Sequence, residues 1–97
     1  YGKSDILFPA DRMGVLHEIA HIRWAFAVVL RKRRLRKRWS QVELGARSGL
    51  DNSYISQLEK GLKTPTLDAM LRLSKALGIF PEKMMKEVRI ELGGVGQ

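Results

Sequence analysis

Residues 40–61 read SQVELGARSGLDNSYISQLEKG, and this stretch predicts two short helices joined by a tight turn. Ser40 is a favourable N-cap, and Glu43, three residues later, completes the pattern of a capping box. A helix is therefore expected to begin at Gln41. It should end after about two turns, because Gly49 can adopt the left-handed conformation that closes helices.

The second helix of the pair has its own signals for beginning and ending. Asp51 is suited to cap residues 52–60, and Gly61 is suited to end them. The apolar side chains that the two helices would bury together are Leu44, Leu50, Ile55 and Leu58. Short polar and amide side chains are predicted to face away from that interior, at Asn52, Ser53, Ser56 and Gln57. Exposed amides can form two-pronged hydrogen bonds with adenine in the major groove, so this helix is suited to reading base edges.

The net charge of +8 is concentrated in one block of the sequence. Residues 31–38, RKRRLRKR, hold seven of the eighteen basic residues, which leaves eleven basic and ten acidic residues elsewhere. Such a block favours binding to a polyanion through counterion release, or to an acidic membrane surface. The alternatives are a solvated helix face and a localisation signal. The neighbouring motifs must decide between these interpretations.

Length and composition exclude several classes of protein. A chain of 97 residues forms one domain with a single modest core, and the absence of cysteine excludes disulfide scaffolds and cysteine-based zinc sites. The apolar run at residues 24–30 is far shorter than the roughly 20 residues that span a membrane. We therefore expect a cytoplasmic protein with no membrane partner.

Residues 17–21, HEIAH, match the HExxH pattern of zinc peptidases, in which two histidines share one helix face. A catalytic zinc site also needs a third protein ligand, and the sequence holds only His17 and His21 as histidines. The favoured interpretation is an incidental pair on an amphipathic helix, with no metal, no cofactor and no enzymatic activity. A metalloenzyme fragment remains the alternative.

The basic block lies at the end of a predicted first helix, which covers about residues 13–37. Its Phe26, Leu30 and Arg34 share one face by i, i+4 spacing. Gly14 leaves two alternatives open: one long rod, or an N-terminal appendage followed by a helix from about Ile22.

Two further helices are predicted after the central pair. The first begins after Thr66 and ends near residue 77, and the apolar face assigned to it consists of Leu67, Met70, Leu71, Ser74 and Leu77. The second begins at Pro81 and ends near Glu87, and the side chains expected to close the core beside it are Phe80, Met84 and Met85. Beyond it, alternating apolar residues at 88, 90 and 92 indicate extended backbone. That segment is interpreted as a frayed terminus, a strand pairing with a second copy, or a continuation into another domain.

The central stretch resembles the helix-turn-helix of the phage Cro and C1 repressor family, also called the XRE family. The match extends over about residues 24–81, and its motif elements are Phe26, Leu30, Arg31, Arg34, Ser40, Gln41, Leu44, Gly49, Leu50, Tyr54, Ile55, Ser56, Leu58, Glu59, Gly61, Pro65, Leu67, Leu71, Ala76, Leu77 and Gly78. The resemblance implies an all-α, compact five-helix repressor-like DNA-binding domain at residues 23–88. An N-terminal extension (1–22) and a short C-terminal tail (89–97) would flank it.

The same resemblance implies roles for individual residues. Base reading falls to Asn52, Ser53 and Gln57. Contacts to the DNA backbone fall to Ser40, Gln41, Tyr54, Lys60, Lys63, Thr64, Arg36 and Arg38. Arg34 and Glu59 match the arginine and glutamate that pair structurally in this family. Three residues depart from the family pattern. Arg33 stands where an apolar residue is usual, Arg38 where a glycine is usual, and Gly45 where an alanine is usual.

Taken together, these observations predict sequence-specific binding to double-stranded DNA by a repressor-like transcriptional regulator that acts as a homodimer. The alternative is an antitoxin or adaptor whose main partner is another protein, such as a toxin or co-regulator.

Overall fold

A computed structural model describes residues 12–93 of the chain, with side chains described from residue 17 onward. The first eleven residues of the predicted N-terminal extension and the last four residues of the predicted tail therefore lie outside the described residues. Within residues 12–93 the chain is all-α, as the sequence predicts, and its five helices are α1 (Arg12–Arg36), α2 (Gln41–Ser48), α3 (Asn52–Glu59), α4 (Leu67–Leu77) and α5 (Pro81–Glu91).

Helix α1 is one continuous helix of 25 residues, so Gly14 does not divide it and the single rod is the correct alternative. Its core-facing side begins only at Ala25, which is buried together with Phe26 and Leu30. Arg34 follows on the same face and is also buried. The helix therefore enters the core about halfway along its length and carries a charged side chain into the interior at its end.

The core is enclosed by all five helices, with α1 packed against α3 and α5, and α2 packed against α3 and α4. Its members are Ala25, Phe26, Val29, Leu30, Leu44, Ile55, Leu58, Met70, Leu73, Leu77, Met84 and Val88. The predicted interior of the central pair is thus confirmed for Leu44, Ile55 and Leu58, while Leu50 is partly buried and packs against the same cluster.

The apolar face assigned to α4 is correct for Met70, Ser74 and Leu77 but wrong at its two other positions. Leu67 and Leu71 are 77% and 49% exposed. The buried stripe is centred on Leu73, and at about 100° per residue Leu67 and Leu71 lie roughly 120° and 160° away from it. In the sequence, helical spacing places Leu67 and Leu71 on the same predicted face as Met70, Ser74 and Leu77. Only the packing determines where the centre of the buried face lies.

The expected end of the last helix near Glu87 and the extended segment after it are wrong. Helix α5 continues to Glu91. Its buried face is formed by Met84 and Val88, whereas Phe80 (76%) and Met85 (52%), which were expected in the core, are exposed. Tertiary packing overrides the strand-like alternation because the i, i+4 pair of Met84 and Val88 contacts the rest of the core.

Two departures from the family pattern have clear structural consequences. Arg38, where glycine is usual, has a φ of 61°, so a side-chain-bearing residue adopts the left-handed conformation in the turn between α1 and α2. Gly45 stands where α2 crosses the start of α3, and a Cβ at this position would lie 2.7 Å from the Leu50 carbonyl oxygen. The bare glycine therefore permits a closer approach than alanine would.

Candidate nucleic-acid interface

The two helices of the central stretch are fixed by caps at their starts and by a glycine between them. The Ser40 hydroxyl accepts a hydrogen bond from the Glu43 amide at 3.0 Å, which begins α2. Gly49 ends that helix with a φ of 74°, and its amide donates to the Gly45 carbonyl. The Asp51 carboxylate then accepts from the Ser53 amide at 3.0 Å, which begins α3. These local signals are encoded in the sequence, so the predicted helix–turn–helix is confirmed.

A buried ion pair connects α1 to the end of α3. Arg34 donates from Nε and Nη2 to the two oxygens of Glu59, at 2.6 and 2.8 Å, and from Nη1 to the Trp39 carbonyl at 2.7 Å. Only 10% of the arginine side chain and 3% of the glutamate side chain are exposed. The hydrogen bonds with Glu59 raise the pKa of Arg34 further above its usual range. The arginine therefore stays charged, and the pair connects the first and third helices.

The same carboxylate also holds the first residue of α2. Gln41 donates from Nε2 to Glu59 Oε1 at 3.2 Å, so the side chain at the start of α2 is tied to the end of α3. One carboxylate thereby connects α1, α2 and α3.

The three side chains assigned to base reading lie in the first two turns of α3. Asn52 and Ser53 are exposed and Gln57 is half-buried. Ser53 donates its hydroxyl proton to the Asp51 carboxylate, and this hydrogen bond, with that of the Ser53 amide, lowers the pKa of Asp51. Because its proton is used in this bond, the Ser53 hydroxyl can serve a ligand as an acceptor, while the two amides of the set offer both donors and acceptors.

The side chains assigned to the DNA backbone lie at two places around α3. Ser40 and Gln41 stand at the start of α2, and the segment between α3 and α4 carries the others that flank the reading helix: Lys60, Lys63 and Thr64. Both lysines are exposed. Tyr54 links α3 to this segment, because its hydroxyl accepts from the Thr66 amide at 3.3 Å and the Lys63 ammonium lies 6.0 Å from its ring centre.

The basic block does not act as one uniform stripe. Arg33 donates from Nε to Glu87 at 2.9 Å and makes a second, shorter contact through Nη2, while Lys32 pairs with Glu91 at 3.2 Å. These pairs attach α5 to α1, and the arginine lowers the pKa of Glu87. With Arg34 also in an internal pair, three of the seven basic residues serve the fold.

The rest of the block is exposed. These side chains are Arg31, Arg36, Lys37 and Arg38. Arg36 and Arg38 belong to the end of α1 and the turn before Ser40, close in sequence to the residues assigned to phosphate contact. The positive charge available to a polyanion is therefore smaller than the sequence suggests. Part of it lies in the turn that leads into α2.

Several contacts at this site were missed by the sequence reasoning. Arg23 donates from Nε to the Thr64 hydroxyl at 2.9 Å, and the Trp39 carbonyl accepts from Arg34. The pairing of Arg33 with Glu87 was also missed, although a signal for it exists. An arginine where the family has an apolar residue, and two glutamates spaced i, i+4 in the last helix, together favour a charged contact between the helices.

The described residues offer no obvious site for metal chemistry. His17 and His21 are exposed on α1, and the His21 ring centre lies 5.9 Å from that of Trp24. Among the side chains from residue 17 to residue 93, no group of three or more His, Cys, Asp or Glu is placed to hold a metal ion. Within residues 12–93 no helix combines the length and apolarity that crossing a membrane requires.

Comparison with protein families and sequences gives consistent matches. A family model described as helix-turn-helix matches residues 30–82. Control protein C.BamHI of Bacillus amyloliquefaciens is 36% identical over 66 residues, which cover 67% of this chain and 82% of that protein. An uncharacterized HTH-type transcriptional regulator, y4dL of Sinorhizobium fredii, is 41% identical over 64 residues, or 62% of this chain. The matched part spans only about a third of that regulator's length, 33%.

Solved structures give the same fold. The restriction-modification controller protein C.AhdI from Aeromonas hydrophila superposes with a TM-score of 0.62 and 37% identity, covering 64% of this chain and 94% of that one. The clp gene regulator ClgR from Corynebacterium glutamicum superposes with a TM-score of 0.70 and 25% identity, covering 77% of this chain and 80% of its own. The resemblance that the sequence motifs indicate is confirmed.

Proposed function

The chain belongs to the XRE family of helix-turn-helix DNA-binding regulators, and we propose that it represses transcription by occupying a specific double-stranded operator. The observation that carries this proposal is the composition of α3. Its exposed start presents a serine and an amide, and its end is clamped by the buried pair of Arg34 and Glu59. A short helix that is fixed to the domain by a buried ion pair, and that exposes neutral hydrogen-bonding groups, is suited to bind in the major groove.

In the proposed complex, backbone contacts set the register and base contacts give the specificity. Ser40 and Gln41 bind phosphate at the start of α2, where helix amides add to the contact. Lys60, Lys63 and Thr64 bind the backbone on the other side of α3, and Tyr54 lies along the sugar-phosphate wall. Arg36 and Arg38 approach the same backbone as Gln41. Three further side chains contact the base edges: Asn52, Ser53 and Gln57.

We propose further that the protein acts in the cytoplasm as a homodimer, by occupancy rather than catalysis. Two-fold symmetry would then place half-sites about one helical turn, or roughly 34 Å, apart in an inverted repeat. Support comes from apolar side chains that remain exposed along α4 and the turn after it: Leu67, Leu71 and Phe80. Such a surface suits association with another chain.

The same exposed apolar side chains support the second candidate, an antitoxin or adaptor that binds a different protein. Sedimentation of the purified chain distinguishes the two. A concentration-dependent dimer favours the repressor, whereas a monomer that is recovered in a stoichiometric complex with a second polypeptide favours the adaptor.

Selection of bound duplexes from a random pool tests the function directly. Recovery of an inverted repeat is expected. Gln57→Ala should relax the selected sequence, and Lys63→Ala should weaken binding to all sequences alike. The matched control is Lys86→Ala on α5, which removes the same charge from an exposed position on another helix. A flat response of affinity to salt, or recovery of no common sequence, would contradict the proposal.

A further inference from the structure

We infer that Arg23 on α1 is an additional contact to the DNA phosphate backbone, next to Thr64. This inference rests on the proposed function, because it needs bound DNA. Residue 23 precedes residues 30–82, so its position lies outside the helix-turn-helix that the family model matches. It is placed at the interface by the tertiary structure of this chain.

A hydrogen bond between distant residues attaches Arg23 to the segment between α3 and α4. Its Nε donates to the Thr64 hydroxyl at 2.9 Å across 41 positions of sequence. The preceding residues of the same segment pack directly on the backbone of α1. Gly61 has a φ of 71°, and a Cβ built on it would lie only 3.7 Å from the Trp24 backbone and 3.8 Å from the Arg23 carbonyl carbon. The segment assigned to phosphate contact and this turn of α1 therefore form one surface.

Most of the hydrogen-bonding capacity of Arg23 remains free. An arginine side chain has five N–H donors in a planar fork, and Thr64 uses only the one on Nε. The threonine oxygen accepts this bond, so its own proton is still available to donate. A guanidinium and a hydroxyl in direct contact are close enough to bind a single phosphate together, and the planar guanidinium fork matches its oxygens.

The positive charges on and near α1 are unequally paired. Lys32 and Arg33 form ion pairs with glutamates of α5. Within residues 17–93, no ion pair engages four other basic residues of α1 and of the segment after α3: Arg23, Arg31, Lys60 and Lys63. Arg31 and Lys60 line one depression together with Trp24 and with Glu59, whose carboxylate is bound by Arg34. Basic side chains without counter-charges favour a polyanion beside them.

The test is the salt dependence of duplex binding by the full chain carrying Arg23→Ala. Each phosphate neutralised contributes about 0.9 to the slope of log affinity against log salt. Arg23→Ala should therefore bind more weakly at low salt and lower the slope by about one. Its deficit relative to wild type should shrink by about 3.5-fold when salt rises from about 50 to about 200 mM. Arg23→Lys should retain most of the slope, because it retains the charge.

Two further variants separate direct contact from mere support of the loop. Thr64→Val removes the partner of Arg23 and one uncharged backbone contact but leaves the charge, so its affinity should fall while its slope stays within about half a unit of wild type. Lys86→Ala removes an equal charge from α5 and should leave the slope unchanged. The inference is overturned if Arg23→Ala keeps the wild-type slope, or if it behaves like Thr64→Val in both affinity and slope.

Failure of this inference is distinguishable from failure of the proposed function. If wild type selects an inverted repeat and responds steeply to salt while Arg23→Ala changes neither, only the inference fails. If wild type binds no duplex, or binds without salt dependence, the proposed function fails, and the backbone contact at Arg23 fails with it.

Discussion

Removal of the Glu59 carboxylate should destabilise the protein more than the loss of any exposed charge pair. Glu59 accepts three hydrogen bonds, from Arg34 Nε and Nη2 and from Gln41 Nε2, at 2.6, 2.8 and 3.2 Å. In Glu59→Ala the arginine remains buried, with only the Trp39 carbonyl to accept its protons. Breaking a buried pair in this way costs about 3–5 kcal/mol. Since a domain of this size has a total stability of about 5–15 kcal/mol, the loss is a large fraction of it.

The chain provides a matched control for this experiment. Glu43 and Arg47 on α2 are joined at the same N–O distance of 2.6 Å, but their side chains are 45% and 52% exposed. Glu43→Ala should cost only about 0.5 kcal/mol, because water screens the exposed pair. The free energies of unfolding are measured by urea titration at neutral pH. At about 4–8 °C per kcal/mol, the melting temperature of Glu59→Ala should fall by at least about 12 °C.

A double variant separates the cost of an unpaired charge from the net contribution of the pair. Arg34→Met with Glu59→Leu removes both charges and keeps most of the volume, so it should be closer to wild type than Glu59→Ala is. The reasoning is refuted if Glu59→Ala and Glu43→Ala are equally stable within about 0.5 kcal/mol, or if the double variant loses as much as the sum of its single changes.

Three further changes have expected outcomes. Arg38→Gly removes a side chain from a left-handed residue with a φ of 61°, so it should raise the free energy of unfolding, measured by urea titration, by up to about 1 kcal/mol. The same change should weaken DNA binding, measured by titration of a duplex. Gly45→Ala should lower the free energy of unfolding by about 1 kcal/mol or more, because the new Cβ would lie 2.7 Å from the Leu50 carbonyl oxygen. This loss is expected despite the better helix propensity of alanine. Unchanged stability and duplex affinity would contradict the expectation. Arg33 lowers the pKa of Glu87 below its ordinary 4.5, so the stability that Glu87 contributes is present above that pH and lost as the pH falls through the lowered folded pKa. Wild type and Glu87→Gln should therefore differ at pH 7 and converge once the pH falls below the lowered pKa of Glu87, and a constant difference in urea titrations would contradict the assignment.

The prediction from sequence was most successful where a structural feature depends on residues close together in the chain. The cap at Ser40 and the glycine at residue 49 are such features, and the structure has both as expected. The prediction failed at Leu71, Phe80 and Met85, because hydrophobicity identifies candidates for burial but not the centre of the buried face.

The candidate site shows the same division between local and distant information. Asn52, Ser53 and Gln57 share the first two turns of one helix, so their common placement follows from helical periodicity. The contact of Arg23 with Thr64 joins residues 41 positions apart, and no local pattern indicates it. The helix-turn-helix family model does not supply it either, because residue 23 lies outside residues 30–82.

The sequence by itself determined the stretch from Ser40 to Gly61, because caps, helix stops and an apolar stripe act within a few residues of each other. Only the tertiary structure decided how the basic block is used. Whether an arginine faces a glutamate of α5, a buried glutamate of α3 or open solvent depends on which helices lie beside α1. Neighbouring charges in one run of sequence therefore differ in role: part of the block holds the fold together, and the rest remains available to a polyanion.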